Sequence, residues 1–235
     1  MLSVGPSGCN DSSCLISPEA SFRIFARADT AISLFVFSSF HCLFCHGYED
    51  RGNTSFGVLA VDAAANAPFA IHLAENAAQL SSQVTIYTNG SKELGSDLEK
   101  ALASGAKVFN VDTRSISRLS LVVPPDTDET TAITLEFSDG TSTTESFLVH
   151  NPLTKVKGPF AAQLGLQLSP SPLPLIANVA AAAPFYQTSV RGVFAAGDSI
   201  TPYKVIAHAI SSGCNAAVGA SGQLLAEKYG HHALI

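Results

Sequence analysis

The sequence predicts an α/β fold, and three neighbouring stretches carry that prediction. FGVLAV at 56–61 reads as a buried strand, PFAIHLAENAAQL at 68–80 as a helix with proline in its first turn, and QVTIYT at 83–88 as a second strand. Strand, helix and strand in that order form a βαβ unit, which places the two strands parallel in one sheet.

The remaining elements follow in chain order. Residues 1–40 show no clean period, and GPSGCNDSS reads as loop. SDLEKALASG at 96–105 is a second helical stretch. ITLEFSDGTSTTESFLVH at 133–150 alternates apolar and polar residues around Asp139 and Gly140, the pattern of a hairpin with a tight turn. Proline and glycine then punctuate a loop-rich connector over 152–174. GVFAAGD at 192–198 reads as a buried strand ending in Gly197 and Asp198, and an alanine-rich helix covers about 203–228.

Composition narrows the functional classes. With 235 residues, 46% hydrophobic and 14% charged, the chain can bury one large core or two small ones. A net charge of −6 without any lysine or arginine run offers no footprint for nucleic acid or an anionic membrane, so small molecules or another protein are the expected partners. Apolar runs such as LFVF at 34–37 fall far short of the roughly 20 residues that span a bilayer. Residues 1–40 lack the basic start, apolar stretch and cleavage site of a secretory signal, which makes a cytoplasmic location the expectation.

Five cysteines at 9, 14, 42, 45 and 214 are odd in number and irregular in spacing, unlike a disulfide framework. Cys9, Cys14 and Cys214 read as small apolar residues. HCLFCHGYED at 41–50 is different, because Cys42 and Cys45 stand two residues apart with His46 directly after. CLFCH matches the attachment pattern of c-type haem, but the opposite axial ligand is usually Met or His, and the only methionine is Met1. A structural zinc site wants a second ligand pair, which no C-x-x-C or H-x₃₋₅-H downstream supplies. A redox disulfide asks least: the spacing permits local closure, and His46 is placed to stabilise a thiolate or carry its proton. The residues by themselves leave a redox pair and a non-catalytic thiol pair open.

SSFHCLFCHGYEDRG together with TSVRGVFAAGDSITPYKVIAHAISSGCNAAVGASGQLLAEKY resembles the low-molecular-weight thioredoxin reductases, and within them the gliotoxin-type dithiol oxidases of fungal natural-product pathways. The resemblance runs from about Ser38 to the C-terminus. It implies a Rossmann-like three-layer βαβ domain, inserted into an FAD-binding domain that is split in sequence. Residues 41–152 resemble the inserted NADPH-domain-like region with its C-x-x-C, and 153–235 the closing part of the FAD domain, with 1–40 an atypical terminus. By position, Cys42 would exchange with substrate, Cys45 would lie nearest the flavin, and His46 would stand where thioredoxin reductases proper usually carry an aspartate. Gly197 and Asp198 would meet the flavin's ribityl chain, and Lys204, Val205 and Ile206 would open the last helix towards the flavin ring.

Two departures qualify the resemblance. A dinucleotide fold needs glycines after its first strand so that the backbone can approach the pyrophosphate, and here that turn reads VDAAANAP. NADPH is therefore not an expected cofactor, and a flavin enzyme without it must take electrons from a dithiol and pass them to molecular oxygen. Secondly, the family opens with a half that holds the FAD pyrophosphate, where this chain has 40 dissimilar residues, which points to a truncated or degenerate relative. The expected function is an FAD-dependent oxidation of a small-molecule dithiol in secondary metabolism, with a homodimer as an open assembly state. A non-catalytic remnant that binds a partner and an NADPH-dependent thioredoxin reductase are the alternatives.

Overall fold

The structure is a computed structural model that describes residues 39–40, 42–43, 47–102, 107–122, 132–151, 156, 158–170 and 177–232. The chain divides into two compact units between Pro152 and Leu153. The expectations placed on residues 1–38, on Cys45 and on His46 lie outside the described residues.

In chain order the first unit runs β1 (Ser39–Phe40), β2 (Ser55–Leu59), α1 (Ala67–Ala77), β3 (Gln83–Tyr87), α2 (Lys92–Leu102), β4 (Phe109–Asp112), β5 (Ile116–Val122), β6 (Ala132–Phe137), β7 (Ser142–Glu145) and β8 (Leu148–Val149). Strands β1-β8-β2-β3-β4 form one sheet in that order with every neighbour parallel, so the α/β class and its βαβ unit are as the sequence predicts. Strands β5-β6-β7 form a separate antiparallel meander.

Because successive strand residues point to opposite faces, the parallel sheet feeds two cores. Phe56, Val58, Val84, Ile86, Phe147 and Val149 pack with α1 and α2. Leu59, Tyr87 and Leu148 pack with Ile116, Leu119, Ile133, Leu135 and Phe137 of the meander. The unit is thus three layers: helices, parallel sheet, meander.

Local chemistry fixes the helices. Asn66 caps α1 by accepting the Phe69 amide at 3.0 Å, with Pro68 in the first turn, and buried Ala70, Ala74 and Ala77 let the helix lie close to the sheet. Ser91 Oγ accepts the Leu94 amide at 3.3 Å, so α2 begins at Lys92, ahead of the expected start at 96. Buried Leu94, Gly95 and Leu98 form its inner face.

The expected hairpin over 133–150 needs a correction. Its turn at Asp139-Gly140 holds, with Asp139 Oδ1 accepting the Thr141 amide at 2.9 Å, but β7 ends at Glu145 and the chain crosses to the parallel sheet as β8, beside β2. Phe147, Leu148 and Val149 are consecutive apolar residues that require burial on both faces, which only the interior sheet provides.

The second unit contains α3 (Phe160–Gln163), the antiparallel pair β9 (Leu168–Ser169) and β10 (Asn178–Val179), the antiparallel pair β11 (Ala181–Ala182) and β12 (Gln187–Thr188), and the long helix α4 (Ile206–Tyr229). The strand expected at 192–198 is not a regular strand. Phe194 makes an isolated bridge with Gln187, and Gly197–Ser199 close into a 3₁₀ turn. Phe194 and Ala195 are buried as expected, but the neighbouring strand β12 is only two residues long and offers no ladder to extend. Gly230, at φ 68°, ends α4 in the left-handed conformation that glycine adopts without penalty.

Ile86 is fully buried on the helix side of the sheet. Ile86→Ala is expected to destabilise the first unit by about 2–5 kcal/mol, lowering the urea midpoint with the slope unchanged. Lys100→Ala, which removes only an exposed 3.4 Å pair with Asp97, is expected to stay within about 0.5 kcal/mol.

Candidate functional site

Cys42 is half-buried and engaged in a disulfide. Its partner falls outside the described residues. The segment that carries Cys42 is fastened to the βαβ core. Leu43 packs on the helix-side core, and its carbonyl accepts the Gly47 amide at 2.8 Å. A Cβ on Gly47 would stand 2.8 Å from that carbonyl and 3.0 Å from Leu80 Cδ1, so the turn has room only for glycine. Gly52 then donates its amide to the Leu80 carbonyl at 2.9 Å, which ties both ends of the turn to the residues following α1.

The turn between β2 and α1 is where a dinucleotide fold places its pyrophosphate. Here Asp62 takes the left-handed conformation at φ 51°, and residues Asp62–Ala64 form a 3₁₀ turn with Ala63 and Ala64 buried. Burial pushes the Asp62 carboxyl above the usual carboxylate range. Of the first donors of α1, Pro68 has none, the Phe69 amide is taken by Asn66 Oδ1, and the Ala70 amide by the Asn66 carbonyl at 3.0 Å. Of these first donors only the Ala67 amide is without a partner among the described residues, so Asn66 takes up most of the helix start. Arg114, near the ends of β3 and β4, is also committed: its guanidinium bonds the Asp112 carboxylate, donates to Thr141 Oγ1 at 2.8 Å, and lies 3.8 Å from the centre of the Phe137 ring. Among the described residues, all of these donors except the Ala67 amide are engaged within the protein and not free for the phosphates of NADPH.

In the second unit the candidate residues cluster at the N-terminal end of α4. Gly197, at φ 72°, starts the 3₁₀ turn that carries Asp198, and its amide donates to Ser212 Oγ at 2.9 Å. Ser212 is fully buried, and its hydroxyl donates to the His208 carbonyl at 2.7 Å. One hydroxyl therefore staples the turn to the second turn of the helix. Lys204 precedes α4 instead of opening it, and its ammonium donates to the Asp198 carbonyl at 2.7 Å and the Thr201 carbonyl at 3.1 Å. Burial lowers the Lys204 pKa, and the charge of Asp198 opposes that shift. Val205 is the extended N-cap residue and forms no side-chain cap bond, so the first amides of α4, from Ile206 onwards, remain available to a ligand. Among the described residues no hydrogen bond engages the Asp198 carboxylate. A carboxylate without a hydrogen-bond partner among the described residues thus stands near a helix start with free amides, an arrangement suited to a polar ligand.

No family model matches the chain. It is 42% identical over 194 residues to a thioredoxin reductase of Gibberella zeae, covering 81% of this chain and 53% of that protein. It is 38% identical over 191 residues to thioredoxin reductase sirT of Leptosphaeria maculans, covering 79% and 55%. Over that stretch, the chain belongs to the low-molecular-weight thioredoxin reductase family. The family fold is found in the solved oxidoreductase of Agrobacterium tumefaciens, with a TM-score of 0.62 at 27% identity over 80% of this chain and 56% of that one. The thioredoxin reductase of Streptococcus pyogenes shares the fold at a TM-score of 0.56 and 16% identity, covering 80% and 58%. The chain spans about half the length of the curated relatives it matches.

Sequence reasoning passed over Ser212, Asn66 and the side chain of Lys204. Asn66 was legible, since asparagine two residues before a proline is a helix-start signature. Ser212 was not, because its partner lies 15 positions away in sequence. Ser212→Ala is expected to leave the buried Gly197 amide unpaired, costing about 1–3 kcal/mol and lowering the hydrogen-exchange protection of that amide, with Ser212→Thr retaining the bond.

Proposed function

We propose that this chain carries the disulfide-bearing part of an FAD-dependent oxidoreductase, one that converts a small-molecule dithiol into a disulfide and delivers the electrons to molecular oxygen. The observation that supports it most is the disulfide at Cys42, on a segment fastened to a βαβ unit whose helix-start amides are taken up by Asn66. A cysteine pair that NADPH does not reduce must receive its electrons from a thiol substrate.

In this reading Cys45 is the partner of Cys42. One substrate thiolate attacks Cys42 Sγ, forming a mixed disulfide and releasing the Cys45 thiolate. The second substrate thiolate attacks its own mixed-disulfide sulfur and releases Cys42. The substrate leaves as a disulfide, the cysteine pair keeps both electrons, and His46 takes up a proton released by the substrate. FAD, when bound, supplies the two-electron connection between the reduced pair and oxygen. Asp198 would accept a hydrogen bond from the ribityl chain, Gly197 would give the backbone its turn there, and the first amides of α4, after Lys204 and Val205 and beginning with Ile206, would face the ring's pyrimidine edge.

A second reading is a remnant without flavin that acts by binding a partner. It is favoured by the lack, among the described residues, of a group placed for the FAD pyrophosphate. The colour of the purified chain separates the two. Losing several charge-assisted hydrogen bonds of about 1.5–3 kcal/mol each lowers affinity by orders of magnitude, so the chain expressed alone is expected to retain little FAD through gel filtration. Stoichiometric FAD would place an anchor in the residues outside those described.

Two further outcomes test the dithiol reading. Peptide mapping of the oxidised chain is expected to return Cys42 linked to Cys45, with two thiols gained after mild reduction; a Cys42 linked elsewhere sinks the mechanism. NADPH at millimolar concentration is expected to raise the melting temperature by no more than about 3 °C, since a dissociation constant at or above the ligand concentration stabilises by at most about 0.4 kcal/mol. A larger rise would restore the NADPH-dependent alternative.

A further inference from the structure

Cys42 stands just past the end of β1, and His150 just past the end of β8. The two strands are parallel neighbours with Phe40 opposite Val149, so both residues leave the carboxyl end of the same sheet at nearly the same level. One strand spacing of about 4.8 Å and one residue's rise of about 3.3 Å separate their positions. The carboxyl ends of parallel strands are where an open α/β sheet places its chemistry. Strand β8 lies inside the sheet, between β1 and β2, and belongs to the apolar run Phe147, Leu148 and Val149. His150 ends that run and is only 8% exposed. Burying an imidazole costs free energy that an aliphatic side chain would not, so packing alone gives no reason for a histidine there.

Dithiol exchange needs more than one proton carrier. Two substrate thiols lose two protons, and two cysteine sulfurs leave in turn, Cys45 first and Cys42 second. His46 follows Cys45 directly and accounts for one proton. The other has to reach the half-buried Cys42, whose sulfur leaves faster when its developing charge is met.

We propose, on the dithiol reading above, that His150 is a second proton carrier dedicated to Cys42, so that each cysteine of the pair is served by its own histidine. In the closing step the His150 imidazole takes the proton of the second substrate thiol. The resulting thiolate attacks the substrate sulfur held by Cys42. The bond from that sulfur to Cys42 breaks, the substrate disulfide forms, and the electron pair stays on Cys42 Sγ. His150 then gives its proton to Cys42 Sγ. The pair ends as a Cys42 thiol and a Cys45 thiolate beside the His46 imidazolium, with both substrate protons accounted for.

Dithiothreitol as the dithiol, with acid quenching and peptide mapping by mass spectrometry, follows the two steps in the full chain without flavin. In the unsubstituted chain the mixed disulfide of Cys42 with dithiothreitol is expected to stay a minor species while the Cys42–Cys45 link is lost. In His150→Asn the link is expected to be lost at a rate within about twofold, whereas the mixed disulfide closes about tenfold more slowly and accumulates. Loosened packing alone would change both steps. Because His150 is buried, a second measurement avoids substitution: its imidazole nitrogen signals in the NMR spectrum of the unsubstituted chain are expected to shift when the pair is reduced. If His150→Asn does not fold, that shift decides. Equal closing rates in the two chains, or His150 signals indifferent to reduction, overturn the role of His150 and leave the dithiol reading standing. A Cys42 disulfide that dithiothreitol does not reduce, or one made to a cysteine other than Cys45, overturns both.

Discussion

The parallel sheet of the first unit must be buried on both faces, and most of that unit follows from this requirement. β2, β3 and β8 carry large apolar residues at successive positions, and the alternation of side chains sends Phe56, Val58 and Ile86 to the helices and Leu59, Tyr87 and Leu148 to the meander. Exposing either face would leave several fully buried side chains in water, at about 1.5–3 kcal/mol each. Gly57 shows how tightly the layers close: a Cβ there would run into Leu148 and Tyr87. Tyr87 in turn donates its hydroxyl to the buried Glu145 carboxylate across that interface, and burial, together with the charge of Glu145, raises the tyrosine's pKa.

The same packing determines what the candidate sites can do. The turn that follows Cys42 rests on Leu80, beyond the end of α1, so its position is inherited from the helix layer. The phosphate turn ahead of α1 is shaped by Ala63 and Ala64, whose burial fills the space that glycines leave open in a dinucleotide site. The second unit works differently. Its candidate residues are held by polar staples, Gly197 to Ser212 and Lys204 to the carbonyls of Asp198 and Thr201, at the mouth of a helix with unused amides. Such an end is suited to anionic or carbonyl groups.

The sequence by itself determined the βαβ order, the parallel pairing it requires and the tight turn at Asp139-Gly140, because these depend on local spacing and turn chemistry. It also carried the family, through CLFCH and the GVFAAGD segment with its following helix. Tertiary structure decided the rest. The fate of 147–149 depended on a partner strand more than 80 positions earlier in the chain, so no local pattern could move it from the hairpin to the sheet. GVFAAGD is apolar enough for a strand, but a strand exists only where a neighbour completes its ladder, and β12 is too short to do so. Ser212 and Lys204 became part of the candidate site only when the 3₁₀ turn folded back on α4, since hydroxyl and ammonium groups bond whatever the fold brings within reach.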